Sequence, residues 1–234
     1  LVTNAIYDTT DVADHALGLI LSLVRKIPWI QKSTMGGEWD WKKFQPVMRL
    51  RGKTVGIVGF GRVGREVAER ICGFGVEVIA YDPYLPLKVF QERHVEKVDM
   101  ETLLKRSDII TVHVALTEKT RHMIGRDELR KMKKTAILVN ASRGAVIDEA
   151  ALYTALREKW VASAGLDVLE REPLTRDNPL LGLDNVVITP HMAWYSIDSL
   201  TEIQRRAAEE VARVLRGQPP KSLVNREVLK TKQT

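Results

Sequence analysis

Residues 55–82 read Val55-Gly-Ile-Val-Gly-Phe-Gly-Arg-Val-Gly-Arg-Glu-Val-Ala-Glu-Arg-Ile-Cys-Gly-Phe-Gly-Val-Glu-Val-Ile-Ala-Tyr-Asp82. An apolar strand, Val55 to Val58, enters Gly59-x-Gly61-x-x-Gly64, a helical segment follows, and a second apolar strand ends at Asp82. A glycine pattern of this kind is weak evidence alone, because glycine-rich turns are common. Here the strand before it and the helix after it supply the context that a dinucleotide site requires. Gly59 permits the tight turn, Gly61 lets the backbone approach a pyrophosphate, and Gly64 lets the helix pack close to the strand. The free N–H groups at the helix start would face the phosphates. Asp82 lies 18 residues past Gly64, where a carboxylate accepts from both ribose hydroxyls of NAD and repels a 2′-phosphate, so NAD is expected rather than NADP.

Outward from this unit, strands and helices alternate. Short apolar strands are expected near 55–58, 76–81, 109–114, 136–140, 161–167 and 186–189, with a weaker one near 94–98. Helices are expected near 62–73, 99–106, 126–132 and 148–158. Near-continuous apolar strands separated by helices imply an α/β fold, a doubly wound parallel sheet of Rossmann type covered on both faces. Residues 11–27 form a helix apolar nearly all round, with Pro28 near its end; such a helix must be covered on most sides, by the sheet and by a second subunit. Residues 31–50 read as an irregular connector carrying Trp39 and Trp41. A last helix spans 197–215, with Ser199-x-x-Glu202 as its capping box and Ser196 as a rival cap. The expected division is a linker helix over 1–30, a nucleotide-binding domain over 31–192, a return helix over 193–217 and a tail over 218–234.

Composition narrows the class. The chain has 234 residues, 44% hydrophobic and 28% charged, as ordinary globular proteins do, and no run of 18 apolar residues to span a membrane. No leader pattern opens it, and the single Cys72 excludes an internal disulfide or a cysteine-rich metal site, so a cytoplasmic setting without metal is expected. Cys72 beside Ile71 reads as a buried thiol. The net charge is +6, and from Gln204 onward eight cations (Arg205, Arg206, Arg213, Arg216, Lys221, Arg226, Lys230, Lys232) face three glutamates (Glu209, Glu210, Glu227). Without interleaved aromatics or a recognition motif this reads as a solvated helix face and tail rather than a nucleic-acid surface.

Three reactive residues follow the later strands: Arg143 after strand 136–140, Glu172 after strand 161–167 and His191 after strand 186–189. Singly each has a plain explanation, as a surface arginine, a turn carboxylate before proline and a capping histidine. Together they share the edge where an open parallel sheet binds its ligands. Hydride transfer to a 2-keto acid leaves negative charge on the carbonyl oxygen, which a histidine quenches by giving a proton. A neighbouring carboxylate favours the protonated imidazole. A guanidinium holds a substrate carboxylate in a bidentate fork.

Leu50-Arg-Gly-Lys-Thr-Val-Gly-Ile-Val-Gly-Phe-Gly-Arg-Val-Gly, Val139-Asn-Ala-Ser-Arg-Gly-Ala-Val-Ile-Asp, Ala164-Gly-Leu-Asp-Val, Glu172-Pro and Val187-Ile-Thr-Pro-His together resemble the D-isomer-specific 2-hydroxyacid dehydrogenase family, over about residues 5–218. His191-Met-Ala-Trp-Tyr-Ser and Tyr81-Asp-Pro-Tyr look most like its branch containing the C-terminal binding proteins, NAD-dependent transcriptional co-repressors. The resemblance implies His191 as general acid/base, Glu172 as its partner and Arg143 as substrate clamp. It also implies Asp167 near the nicotinamide carboxamide, Arg62 and Val63 in the phosphate loop, Asp82 on the ribose, and Trp194 lining the substrate pocket.

Two departures stand out. The loop after the fourth strand reads His113-Val-Ala-Leu-Thr, with Ala115 where many members have proline. The chain also opens at the linker helix, so the amino-terminal substrate-domain segment of the family is expected to be missing, and turnover by this segment alone to be weak or nil. The expected activity is NAD-dependent interconversion of small 2-keto and D-2-hydroxy acids by a homodimer. The alternative is a non-catalytic, NAD(H)-responsive dimeric scaffold.

Overall fold

The computed structural model describes residues 2–3 and 9–225. Two compact units emerge, one of residues 12–193 and one that contains, among the described residues, 2–3, 9–11 and 194–225.

In chain order the elements are α1 (Thr10–Val24), α2 (Ile27–Met35), β1 (Thr54–Val58), α3 (Arg62–Cys72), β2 (Glu77–Tyr81), α4 (Leu87–Gln91), β3 (Glu96–Lys97) and α5 (Met100–Arg106). There follow β4 (Ile109–Val112), α6 (Arg126–Lys131), β5 (Ile137–Asn140), α7 (Glu149–Arg157), β6 (Ser163–Leu166), β7 (Val186–Ile188) and α8 (Ile197–Leu215). The seven strands form one parallel sheet in the order β3-β2-β1-β4-β5-β6-β7. This is the doubly wound Rossmann-type arrangement read from the sequence. Successive residues of a strand point to opposite faces. Val55 and Ile57 of β1, Ile109 of β4 and Val139 of β5 therefore join a core with Ala16, Leu19, Ile20 and Leu23 of α1, Val67 and Ile71 of α3, and Phe90 of α4. Val58, Ile110, Val112 and Leu138 join a second core with Leu103, Leu129, Leu152 and Leu156 of α5, α6 and α7. Each fully buried side chain of this size contributes about 1.5–3 kcal/mol, and two cores of this kind hold the strand ends rigidly.

Several expectations shift in detail. The first helix stops at Val24, because Lys26 turns left-handed (φ 55°) and restarts the chain as α2. Pro28 sits inside the first turn of that second helix, where its missing N–H costs nothing. The connector is thus helical to Met35, and a short 3₁₀ turn spans Trp41–Phe44. Helix α4 was not foreseen; Phe90 anchors its single buried position, stacked on Phe60 at 4.8 Å. Cys72 is exposed rather than buried: Val67, Ala68 and Ile71 carry the sheet-facing stripe of α3, and the next residue rotates away from it. Partial desolvation still pushes its thiol above the usual range.

In the smaller unit, Ser196 rather than Ser199 caps α8, its hydroxyl accepting from Ser199 N at 2.9 Å while Ser199 Oγ accepts from Ser196 N at 2.8 Å. Glu202 is instead paired with Arg206, and Arg205 with Glu209, both one helical turn apart, so these cations sit on a salt-bridged helix face. Arg226, Glu227, Lys230 and Lys232 of the basic tail lie outside the described residues. Among the described residues no helix is long and apolar enough to cross a membrane, and no cluster of ligating side chains could hold a metal.

Candidate functional site

The strand order reverses between β1 and β4, so a crevice opens at the carboxyl ends of these two strands, where open sheets of this kind bind ligands. The turn after β1 is built for close approach. Gly59 sits at φ +90°, a region side chains avoid, and a Cβ there would lie 2.7 Å from the His113 carbonyl oxygen. A Cβ on Gly64 would lie 2.2 Å from Gly59 O, so only glycine lets α3 seat against the turn. Gly61 differs: nothing lies within 4 Å of where its Cβ would be. Gly61 also begins α3 without a side-chain cap, so the first-turn N–H groups, from Arg62, Val63 and Gly64 onward, meet no capping side chain. Open space over Gly61 at the positive end of an 11-residue helix fits a pyrophosphate. Arg62 is exposed beside it, while Val63 is half-buried and packs on the core.

Asp82 stands at the end of β2 and braces this turn, its two oxygens accepting from Phe60 N (3.1 Å) and Tyr84 N (3.0 Å). Each oxygen keeps a second lone pair, enough for a ribose hydroxyl. Residues 59–64 and Asp82 thus fit an adenine dinucleotide.

The three reactive residues come from adjacent strands. Asn140, buried at the end of β5, accepts from Ser142 N (3.0 Å) and Ser142 Oγ (2.8 Å), and its amide donates to Arg143 O (3.0 Å). That fold of the turn holds Arg143 exposed, with Nη1 donating to Ser142 O at 2.6 Å. After β6, Glu172 Oε1 accepts from Leu169 N (2.9 Å), and Oε2 lies 2.6 Å from His191 Nδ1. With Nδ1 engaged by Glu172, proton traffic with a substrate falls to Nε2. The His191 side chain is 44% exposed, so a substrate can reach it. The turns carrying Arg143 and Glu172 touch main chain to main chain: a Cβ on Gly144 would fall 1.9 Å from Leu169 C and O.

Asp167 is 1% exposed, and its carboxylate reaches inward to the His191 turn. Oδ1 accepts from Thr189 Oγ1 (2.6 Å) and Met192 N (3.0 Å), and Oδ2 from Ala193 N (2.8 Å). His15 Nε2 stands 2.9 Å from Thr189 Oγ1 and 3.3 Å from Asp167 Oδ1. Burial alone would raise the Asp167 carboxyl, but the donors from His15, Thr189, Ala193 and Met192 outweigh it and hold it at about 2. Its backbone carbonyl takes the His191 N–H at 2.8 Å.

Two further histidines escaped the sequence reading. His15 carries a readable signal, its i, i+4, i+8 spacing with Leu19 and Leu23 on one stripe of α1. His113, after β4, shares Nε2 with Thr111 Oγ1 (2.8 Å), while its buried Nδ1 meets no hydrogen-bond partner among the described residues. Burial pulls its imidazole down to about 4. Two residues on, the Ala115 carbonyl accepts from Thr120 Oγ1 at 2.6 Å, which folds the loop where many family members have proline. Trp194 belongs to the smaller unit, half-buried, its ring edge-on to Tyr195 at 5.6 Å.

The family model described as "D-isomer specific 2-hydroxyacid dehydrogenase, NAD binding domain" matches residues 17–193. A D-3-phosphoglycerate dehydrogenase of Methanocaldococcus jannaschii is 47% identical over 92% of this chain, which spans 41% of that protein. A glyoxylate reductase of Korarchaeum cryptofilum is 44% identical over 96% of this chain, which spans 68% of it. Among solved structures, the NAD-complexed D-isomer specific 2-hydroxyacid dehydrogenase of Lactobacillus delbrueckii ssp. bulgaricus is 32% identical and superimposes with a TM-score of 0.83 over 96% of this chain and 72% of its own.

Proposed function

The chain belongs to the D-isomer-specific 2-hydroxyacid dehydrogenase family, and from that premise we propose that it serves the NAD-dependent interconversion of short 2-keto acids and D-2-hydroxy acids. The observation that carries this reading is the His191–Glu172 pair, 2.6 Å apart on the same strand-end rim as the open glycine turn. Residues Gly59, Gly61, Arg62, Val63 and Gly64 would hold the pyrophosphate of NAD, Asp82 its ribose and Asp167 its carboxamide. When bound, NAD accepts or supplies the hydride. Arg143 clamps the substrate carboxylate in a fork and polarises the keto oxygen. His191 gives its Nε2 proton to that oxygen as charge develops there, and Glu172 stabilises the imidazolium and fixes the ring. In the reverse direction the same nitrogen takes the proton back.

Relatives acting on glyoxylate and on D-3-phosphoglycerate, as their names state, support a small, polar substrate. In a protein that includes the substrate-binding domain, replacing His191 with Gln should remove NADH-linked reduction of glyoxylate while NADH binding, followed by its fluorescence, stays within about twofold. Full activity in that variant would strike His191 from the mechanism. The non-catalytic scaffold would need only the nucleotide turn, so the assembled pair of His191 and Glu172 favours the enzyme.

Helices α1 and α8 are read as links to a substrate-binding domain, and the working state as a cytoplasmic homodimer. The dimer is supported by Trp39 and Trp41, 93% and 72% exposed, near the amino-terminal helices. A monomer by light scattering at micromolar concentration would contradict it.

A further inference from the structure

His191 stands in a conformation that the chain must be made to adopt. Its φ is 52°, left-handed, a strained region for a non-glycine residue that persists only where neighbours over-determine it. Its N–H is shared between Asp167 O at 2.8 Å and Thr189 O at 3.0 Å, and the Asp167 carboxylate takes the next two, from Met192 and Ala193. Three successive N–H groups of the turn bearing the proposed proton donor therefore reach one aspartate.

That aspartate is in turn held by α1. His15, Leu19 and Leu23 form one stripe of the helix, and the stripe lies along β6. A Cβ on Gly165 would meet Leu23 Cδ1 at 2.9 Å and Leu19 Cβ at 3.2 Å, so the glycine lets the helix sit directly on the strand. One turn further on, the same stripe puts His15 where β6 ends, at Asp167. Thr189 has one hydroxyl proton, and at 2.6 Å it belongs to the ionised Asp167. Its oxygen then accepts from His15, which makes Nε2 the protonated nitrogen of the His15 ring. The same N–H faces Asp167 Oδ1 at 3.3 Å.

We propose that His15 is a positioning residue for the reaction: its Nε2–H, through Thr189 and Asp167, locks the left-handed turn that aims His191. The helix that carries it is thereby wired to the proton donor, so a displacement of α1 would be felt at His191. The role of His191 rests on the function proposed above; the lock itself does not.

The test uses the chain in three forms, wild type, His15→Ala and His15→Gln, with amide exchange at Met192 and Ala193 and the ring ¹⁵N signals of His191 read by NMR. Loss of the donor should speed exchange at both amides at least about tenfold and shift the His191 ring signals, with NADH affinity within about twofold. His15→Gln, whose amide N–H is also a donor, should restore both readouts. Unchanged exchange in a folded His15→Ala overturns the proposal, as does failure of Gln to restore where Ala and Gln variants melt alike. A loss of NADH affinity beyond tenfold with exchange unchanged would move His15 to the cofactor and equally overturn it. None of these readouts needs turnover, so absence of keto-acid reduction by a protein that includes the substrate-binding domain would count against the proposed function alone.

Discussion

Lowering the pH from 7 to 4 should separate wild type from His113→Gln by an amount the structure sets. Burial holds the His113 imidazole at about 4 against 6.5 for the free residue, so between those values the unfolded chain binds a proton that the folded chain refuses. The folded value is depressed, hence the stability is present above about 6.5 and drains away as the pH falls toward 4. At about 1.4 kcal/mol per pH unit, the gap amounts to about 3 kcal/mol, a large part of the margin of a domain this size. Glutamine cannot take up the proton, yet its amide reaches toward Thr111 Oγ1, which His113 Nε2 contacts at 2.8 Å. Urea melts of both proteins at pH 7, 6, 5 and 4 isolate the effect, because every other titrating group contributes to both. Wild type should lose about 3 kcal/mol more than the variant across the series. Parallel stability curves, within about 0.5 kcal/mol, would refute the premise that this ring is folded away neutral.

The glycine turn offers a paired contrast. Gly64→Ala drives a methyl group into Gly59 O and should cost several kcal/mol in a urea melt, whereas Gly61→Ala, facing open space, should melt near wild type and lose at least tenfold in NADH affinity by fluorescence titration. Asp82→Asn should narrow the preference for NADH over NADPH at least fivefold, since the charge that repels a 2′-phosphate is gone; an unchanged ratio would take the ribose role from Asp82. In a protein that includes the substrate-binding domain, Glu172→Gln should cut keto-acid reduction at least tenfold at pH 7, measured by NADH absorbance, with NADH binding intact. Asp167, held at about 2, should contribute stability above pH 4 that disappears as the pH falls toward 2, an acid-side loss missing in Asp167→Asn.

The order of strands and the glycine turn were open to reading because both follow short-range rules: apolar runs of strand length, and glycines where main chain must approach main chain. Asp82, Arg143, Glu172 and His191 could be placed on one rim for the same reason, as each follows a strand. Details decided by side-chain partners were not legible. Cys72 depended on the rotation of α3 by one residue, and the cap of α8 on which of two serines turned inward. Helix α2 hid behind Pro28, read as the stop of the first helix, whereas it sits in the first turn of the second after the left-handed Lys26. His15 stayed hidden longest, since its partners Thr189 and Asp167 lie more than 150 residues away.

The contact at Gly144 carries a lesson for anyone recombining this protein with its relatives. Because only a hydrogen atom fits between the Arg143 turn and the main chain of Leu169, the two stretches must have been shaped in concert. A chimaera that imports one without the other would jam. The natural crossover points lie outside residues 140–173, and that block should be inherited, swapped or redesigned whole.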